Sequence, residues 1–258
     1  MKVAIVIPAR LKSTRLPAKM LVEINGKALI SHVYERASKA PKVDRVLVAT
    51  DSSEIFKHIK KEGGEVYMTS TKHPSGTDRI AEVVEREIRA DVIVNVQGDL
   101  LMDSPKMIED ALSPFLSPQG NPVMTTLKKS IVSHEELNSP HVVKVVTDAK
   151  GRALYFSRSR IPFLRDTASG EEFPPNLYFK HYGLYAYQKD FLLTFVKLPL
   201  GKLEISEKLE QLRALENGYP IDVVETQTEG WEIDTQDDLE RVRKLWCGKN
   251  FKTNVENQ

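Results

Sequence analysis

Residues 3–19 read VAIVIPARLKSTRLPAK. Residues 3–7 form a continuous apolar run, the pattern of a strand covered on both faces. The run is too short for a signal peptide and no small-residue cleavage site follows it, so a buried strand is expected. Residues 8–19 then carry Arg10, Lys12, Arg15 and Lys19, with Ser13 and Thr14 and no acid. A loop directly after the first strand of an open α/β sheet lies at its carboxyl edge, where ligands bind. Closely spaced cations on a loop with free backbone N–H groups suit a polyphosphate. The same run also fits a solvated basic loop. Neither the GxGxxG spacing nor the GxxxxGK[ST] spacing is present.

Outward from this stretch, strand and helix patterns alternate. Leu29, Val33 and Ala37 recur at helical spacing, predicting a helix over 28–40 behind the Asn25-Gly26 turn. A second strand is expected at 45–49, then a helix capped by Asp51 or Ser52 and running to about 61. Gly63-Gly64 stops it, a short strand follows at 65–68, a helix at 77–88 and a buried strand at 91–96. That order predicts a Rossmann-like α/β fold, a mostly parallel sheet with helices on both faces. Beyond it the spacing predicts a hairpin of 142–147 with 153–156, a loop over 160–176 and a strand at 178–187. A helix at 205–217, a strand at 221–225 and a helix at 235–246 capped by Thr235 complete the pattern.

The chain has 258 residues, 41% hydrophobic and 28% charged, enough for one α/β domain with a well-buried core. Lys plus Arg number 37 and Asp plus Glu 36, a formal net charge of +1. That balance gives no electrostatic case for a nucleic-acid or acidic-membrane partner. No apolar run approaches the ~18 residues of a membrane span. One cysteine, Cys247, excludes an intrachain disulfide framework and a cysteine-rich zinc site. A soluble cytoplasmic protein is expected, with one domain over 1–246 and a polar tail over 247–258.

Two acids stand out. Asp99 follows an apolar strand at the carboxyl edge, and a carboxylate there can hold Mg²⁺ together with phosphate oxygens. It equally fits a turn or cap residue. Asp234 precedes Thr235 at a helix start, where a capping role is the simpler reading.

PARLKSTRLPAK at 8–19, VATD at 48–51, HPSGTDR at 73–79, VQGD at 96–99, LYFSR at 154–158, KHYGLYAY at 180–187, LEQLR at 209–213 and EIDTQDDL at 232–239 stand in one order. Together they resemble the 3-deoxy-manno-octulosonate (Kdo) cytidylyltransferases over residues 1–245. The resemblance implies a nucleotidyltransferase fold with a small elaboration, about 125–200, for sugar binding and homodimer formation. It implies CTP and Kdo as substrates, CMP-Kdo and pyrophosphate as products, Mg²⁺ as cofactor and a place in lipopolysaccharide synthesis. Arg10, Arg15 and Lys19 match the family's phosphate loop, with Ala9 and Ser13 adding nucleotide contacts. Asp99 and Asp234 match its metal carboxylates. Ser75, Gly76 and Arg79 match the segment near the cytosine, although Arg79 also suits a structural ion pair. Gln97, Arg158, His181, Glu210 and Gln211 match sugar-side positions. A lone histidine in an aromatic strand, such as His181, also suits a packed core.

Two positions depart from the family pattern. Leu100-Leu101 replace a polar residue and a proline after Asp99, which should change the stiffness and polarity of a loop. Glu232 adds a carboxylate two residues before Asp234, and in an extended segment both face the same side. Glu232 then joins the site, or remains a surface charge. With PLGKLE at 199–204, it resembles the branch acting on 8-amino-3,8-dideoxy-manno-octulosonate, whose ammonium would want a carboxylate.

Overall fold

The computed structural model describes residues 1–11, 15–165 and 173–248. In chain order its elements are β1 (Val3–Ala9), β2 (Glu23–Ile24), β3 (Lys27–Ala28), α1 (Leu29–Ser38), β4 (Arg45–Thr50), α2 (Ser53–Lys61), β5 (Val66–Met68) and α3 (Gly76–Glu87). There follow β6 (Val92–Val96), β7 (Leu100–Met102), α4 (Lys106–Leu116), β8 (Met124–Ser130), α5 (His134–Asn138), β9 (Lys144–Thr147) and β10 (Ala153–Ser157). The last are β11 (Phe179–Gln188), α6 (Lys189–Phe195), α7 (Lys202–Glu207), α8 (Leu212–Glu216), β12 (Asp222–Glu225), β13 (Gly230–Glu232) and α9 (Gln236–Gly248).

β5, β4, β1 and β6 lie side by side and parallel. Numbered as parallel strands this is the 3-2-1-4 order of a doubly wound sheet, as the alternating pattern predicts. Beyond β6 the sheet turns antiparallel: β11 pairs with β6, and β8 with β11, while β12 joins β8 in parallel. β9 and β10 form the expected hairpin and attach to β11 through Lys180 and Lys144. The Asp148 carboxylate accepts from the backbone N–H groups of Lys150 and Arg152, each at 2.8 Å, and so closes the hairpin turn.

The sheet is buried on both faces because β1 sends alternate residues to two cores. Val3, Ile5, Ile7 and Ala9 pack with α1, α4 and α9, while Ala4 and Val6 pack with α3, α6 and α8. Ser52 caps α2 by accepting from the Ile55 N–H, and Thr235 Oγ1 accepts from the Asp238 N–H as predicted for the start of α9. Among the described residues no helix is long and apolar enough to cross a membrane.

Three expectations need correction. Leu100 and Leu101 belong to no loop: with Met102 they form β7, fully buried and antiparallel to β13. Their apolar side chains fill the core beneath the site instead of altering a loop. The helix expected at 205–217 is two helices, α7 and α8. Lys208 breaks the run in the left-handed region at φ 55°, and the Arg213 guanidinium grips the Glu204 carboxylate at 2.6 and 2.8 Å, folding α8 back on α7. The last helix, expected to end at 246, runs to Gly248 as α9; residues 249–258, like 166–172 of the expected 160–176 loop, lie outside the described residues.

Candidate active site

Lys19, the last cation of the basic segment, opens a single 3-10 turn, and its ammonium is nearly buried. Nζ donates to Asp99 Oδ2 at 2.5 Å and to Asp234 Oδ1 at 2.7 Å. Arg15 Nη2 donates to the other oxygen of Asp234 at 2.9 Å. Burial works against the Lys19 ammonium, but Asp99 and then Asp234 outweigh it and its pKa is raised. Burial likewise works against the Asp234 carboxylate, and Lys19 and Arg15 outweigh it, so the pKa of Asp234 is lowered. The basic segment is therefore not simply a solvated loop: two of its cations are paired with the two acids singled out above.

The acids converge because β7 pairs with β13. Leu100 stands opposite Glu232, and the Ile233 N–H donates to the Asp99 carbonyl at 3.1 Å, extending the ladder by one bond. Ile233 turns into the core, which leaves Glu232 and Asp234 on the other side. Gly98 lets the Asp99 turn approach the end of β1. A Cβ there would stand 2.9 Å from Met20 Sδ and 3.0 Å from the Pro8 carbonyl oxygen. The backbone oxygen cannot yield as a side chain can, so Gly98→Ala is expected to displace Asp99. In the pyrophosphate-releasing reaction that the resemblance implies, turnover should fall by roughly 10²-fold, the scale of an ångström-sized misplacement. Steady-state pyrophosphate release, beside a thermal melt, checks this.

A second wall is the N-terminus of α3. Ser75 caps it, accepting from the Asp78 N–H at 3.1 Å and donating to Asp78 Oδ2 at 2.6 Å. Gly76 brings this end against Pro8, with 3.3 Å between the place of a Cβ and Pro8 Cγ. The helix end thus faces the start of the basic loop, where its partial positive charge favours an anion. Arg10 Nη2 donates to the His73 carbonyl at 3.2 Å, tying that loop to the segment before α3. Ala9 is buried at the end of β1, opposite Thr50. Ser13 lies outside the described residues, as do Lys12 and Thr14.

Arg79 does not line this wall. It is fully buried, with Nη2 2.8 Å from Asp51 Oδ2 and Nη1 on Thr69 Oγ1. Of its two readings the described contacts show the structural ion pair: Arg79, one turn into α3, reaches Asp51 and Thr69, which follow β4 and β5.

A profile described as cytidylyltransferase matches residues 4–227. The 3-deoxy-manno-octulosonate cytidylyltransferase of Trichlorobacter lovleyi is 51% identical over 251 residues, spanning 95% of this chain and 98% of the relative. That of Geobacter sulfurreducens is 50% identical over 94% of this chain and 98% of its own length. The chain belongs to the 3-deoxy-manno-octulosonate cytidylyltransferase family. A solved CMP:2-keto-3-deoxy-manno-octonic acid synthetase complexed with CTP superposes with a TM-score of 0.87 at 40% identity, covering 96% of this chain and 99% of that one.

Of the positions that the resemblance assigned to the sugar, four fall in two groups. Gln97 and Glu232 gather at Gly183: a Cβ there would lie 3.4 Å from Glu232 Oε1 and 3.7 Å from Gln97 Cγ. Gln97 Nε2 donates to Asn95 Oδ1 at 3.1 Å. Glu232, at the end of β13, is exposed to solvent. Desolvation by the chain around it, then Asp99 and Asp234, push its pKa up to about 7. The second group stands over α3. Glu210 Oε2 accepts from Thr77 Oγ1 at 2.5 Å, and burial, against the pull of Thr77 and Ser75, raises the Glu210 pKa. Glu210 Oε1, Gln211 Nε2, Asn95 Nδ2 and Arg79 Nε are buried with no hydrogen-bond partner among the described residues.

His181 Nε2 lies 2.9 Å from Thr126 Oγ1, with the ring edge-on to Phe156 at 4.9 Å. His181 is half-buried, and desolvation pushes its pKa down to about 3, so the imidazole is neutral. Arg158 is already partly committed: Nε donates to the Glu207 carbonyl at 2.8 Å and Nη1 to the Pro140 carbonyl at 3.0 Å. A ligand carboxylate would meet only the rest of its fork. Asn95, Thr77 and Gly183 were not singled out by the sequence, although Thr77 and Gly183 stand within the motifs at 73–79 and 180–187 and Asn95 is an amide within the apolar strand VIVNV.

Among the described residues no group of three or more His, Cys, Asp or Glu side chains surrounds one point. A magnesium ion does not need one, since it takes one or two carboxylates and fills its shell with phosphate oxygens and water. Asp99 and Asp234 already close on one positive centre within 2.7 Å, so the donor set fits such a cation.

Proposed function

We propose that this chain transfers the cytidylyl group of CTP to the anomeric hydroxyl of Kdo, releasing pyrophosphate. The observation that carries the reading is the convergence of Asp99 and Asp234 beside Arg15 and Lys19, within a fold whose relatives bear that activity. The hydroxyl oxygen forms a bond to the α-phosphorus, the bond from that phosphorus to the pyrophosphate oxygen breaks, and the hydroxyl proton leaves to solvent. Arg10, Arg15 and Lys19 would neutralise the departing pyrophosphate, and the end of α3 would add N–H donors. Held by Asp99 and Asp234, Mg²⁺ would screen the α-phosphate and lower the pKa of the attacking hydroxyl. Arg158, Gln97, Glu210 and Gln211 would orient the sugar, so that the reaction gains most from positioning and electrostatics.

The product would serve lipopolysaccharide assembly and the enzyme would act in the cytoplasm. The strongly exposed Val132, Leu154 and Phe163, all in the elaboration, supply apolar surface for a homodimer.

Glu232 favours a second reading, the same transfer to 8-amino-3,8-dideoxy-manno-octulosonate. It sets a third carboxylate at Gly183, beside Gln97, where a ligand ammonium would find a partner. Side-by-side turnover of the two sugars with CTP and Mg²⁺ decides between them. If the amino sugar is the substrate, Glu232→Gln should raise its KM roughly tenfold or more, the worth of a charge-assisted hydrogen bond, and leave that of Kdo nearly unchanged. Equal effects on both would remove the argument.

A further inference from the structure

We infer that Lys19 and a divalent cation are alternative occupants of the gap between Asp99 and Asp234, and that the triphosphate drives the exchange. The inference rests on the metal reading given above and adds an order of binding to it.

The Lys19 ammonium sits 2.5 Å from one carboxylate and 2.7 Å from the other, in a side chain only 8% exposed. Without a positive charge between them the two acids would repel each other. Lys19 supplies that charge, and Arg15 holds the remaining oxygen of Asp234 at 2.9 Å. Both oxygens of Asp234 are therefore engaged by cations of the chain itself. A divalent ion taking the same oxygens would stand against the ammonium, and two like charges cannot share that space.

The two cations that hold the acids are the two best placed to leave them. Arg15 and Lys19 flank a short stretch at the end of the basic segment, and Ala18, just before Lys19, is in the left-handed region at φ 52°. A triphosphate seated against the end of α3 and the loop offers them several anionic oxygens at once. Once Lys19 and Arg15 re-pair with phosphate, Asp99 and Asp234 are released together, already at the separation that one cation can bridge. Lys19 thus has two successive partners: it keeps the acids converged before the nucleotide arrives and neutralises phosphate afterwards. Nucleotide, or nucleotide with its metal ion, then binds first, and the free protein holds a divalent ion weakly.

Mn²⁺ binding followed by electron paramagnetic resonance tests this without turnover. The samples are the wild-type chain alone, the wild-type chain with the α,β-methylene analogue of CTP, Lys19→Met alone, and Asp99→Asn with the analogue. Lys19→Met alone should bind Mn²⁺ roughly tenfold or more tightly than the wild-type chain alone, within the usual range of coupling between two ligands. Lys19→Gln replaces it if the first variant does not fold. Equal affinities of the wild-type and Lys19 variants would overturn the exchange. The metal reading would fail separately, if the wild-type chain and Asp99→Asn retained the same Mn²⁺ in the presence of the analogue.

Discussion

Replacing Asp99 by Asn is expected to lower Mg²⁺-dependent pyrophosphate release by about 10³-fold, the upper end of what one preorganised charge-stabilising group supplies. Asn keeps the shape of the side chain but removes the anion, and an amide is a poor ligand for a hard divalent cation. The fold should survive, because the backbone bond from Ile233 to Asp99 and the β7–β13 pairing do not involve the carboxylate. Lys19 also retains Asp234 at 2.7 Å. Circular dichroism and a thermal melt should match the parent chain. Calorimetric binding of CTP should persist, since Arg10, Arg15 and Lys19 are untouched. Near-normal turnover would contradict the metal role of Asp99.

The second large effect is on stability. Arg79→Met should cost about 3–5 kcal/mol, the usual penalty for leaving one partner of a buried ion pair behind. Arg79 is fully buried, and its loss would strand the Asp51 carboxylate and remove a donor from Thr69. For a chain of this size the melting midpoint should fall by roughly 10 °C. The KM for CTP, measured well below the melt, should change little. The opposite pattern, an unchanged melt with a large rise in KM for CTP, would return Arg79 to the cytosine pocket that the family resemblance implied.

Much of the parallel core was legible residue by residue. The run 3–7, the helical spacing of Leu29, Val33 and Ala37, and the strand ending at Gln97-Gly98-Asp99 each carry a period that the backbone must obey. Capping chemistry was equally legible: Ser52 and Thr235 act where their hydroxyls predict. What was missed lacks such a period. β7 is three apolar residues behind a turn, too short to read as more than loop. β8 mixes Thr and Lys with Met and Leu, and α4 contains Pro114. Lys208 breaks the 205–217 helix with a residue that carries no turn signal, because the break is imposed by the Glu204–Arg213 pairing.

The amino-acid order by itself determined the layered α/β design, the basic segment after the first strand and the family to which the chain belongs. These depend on local periodicity and on short ordered motifs, which neighbouring residues encode completely. Only the tertiary structure decided that Lys19 meets both Asp99 and Asp234, that Arg79 pairs with Asp51, and that Glu232 stands beside Gly183 and Gln97. Those meetings join residues up to 215 positions apart. They follow from which strand pairs with which, and that choice is made by the packing of the whole sheet rather than by any one segment.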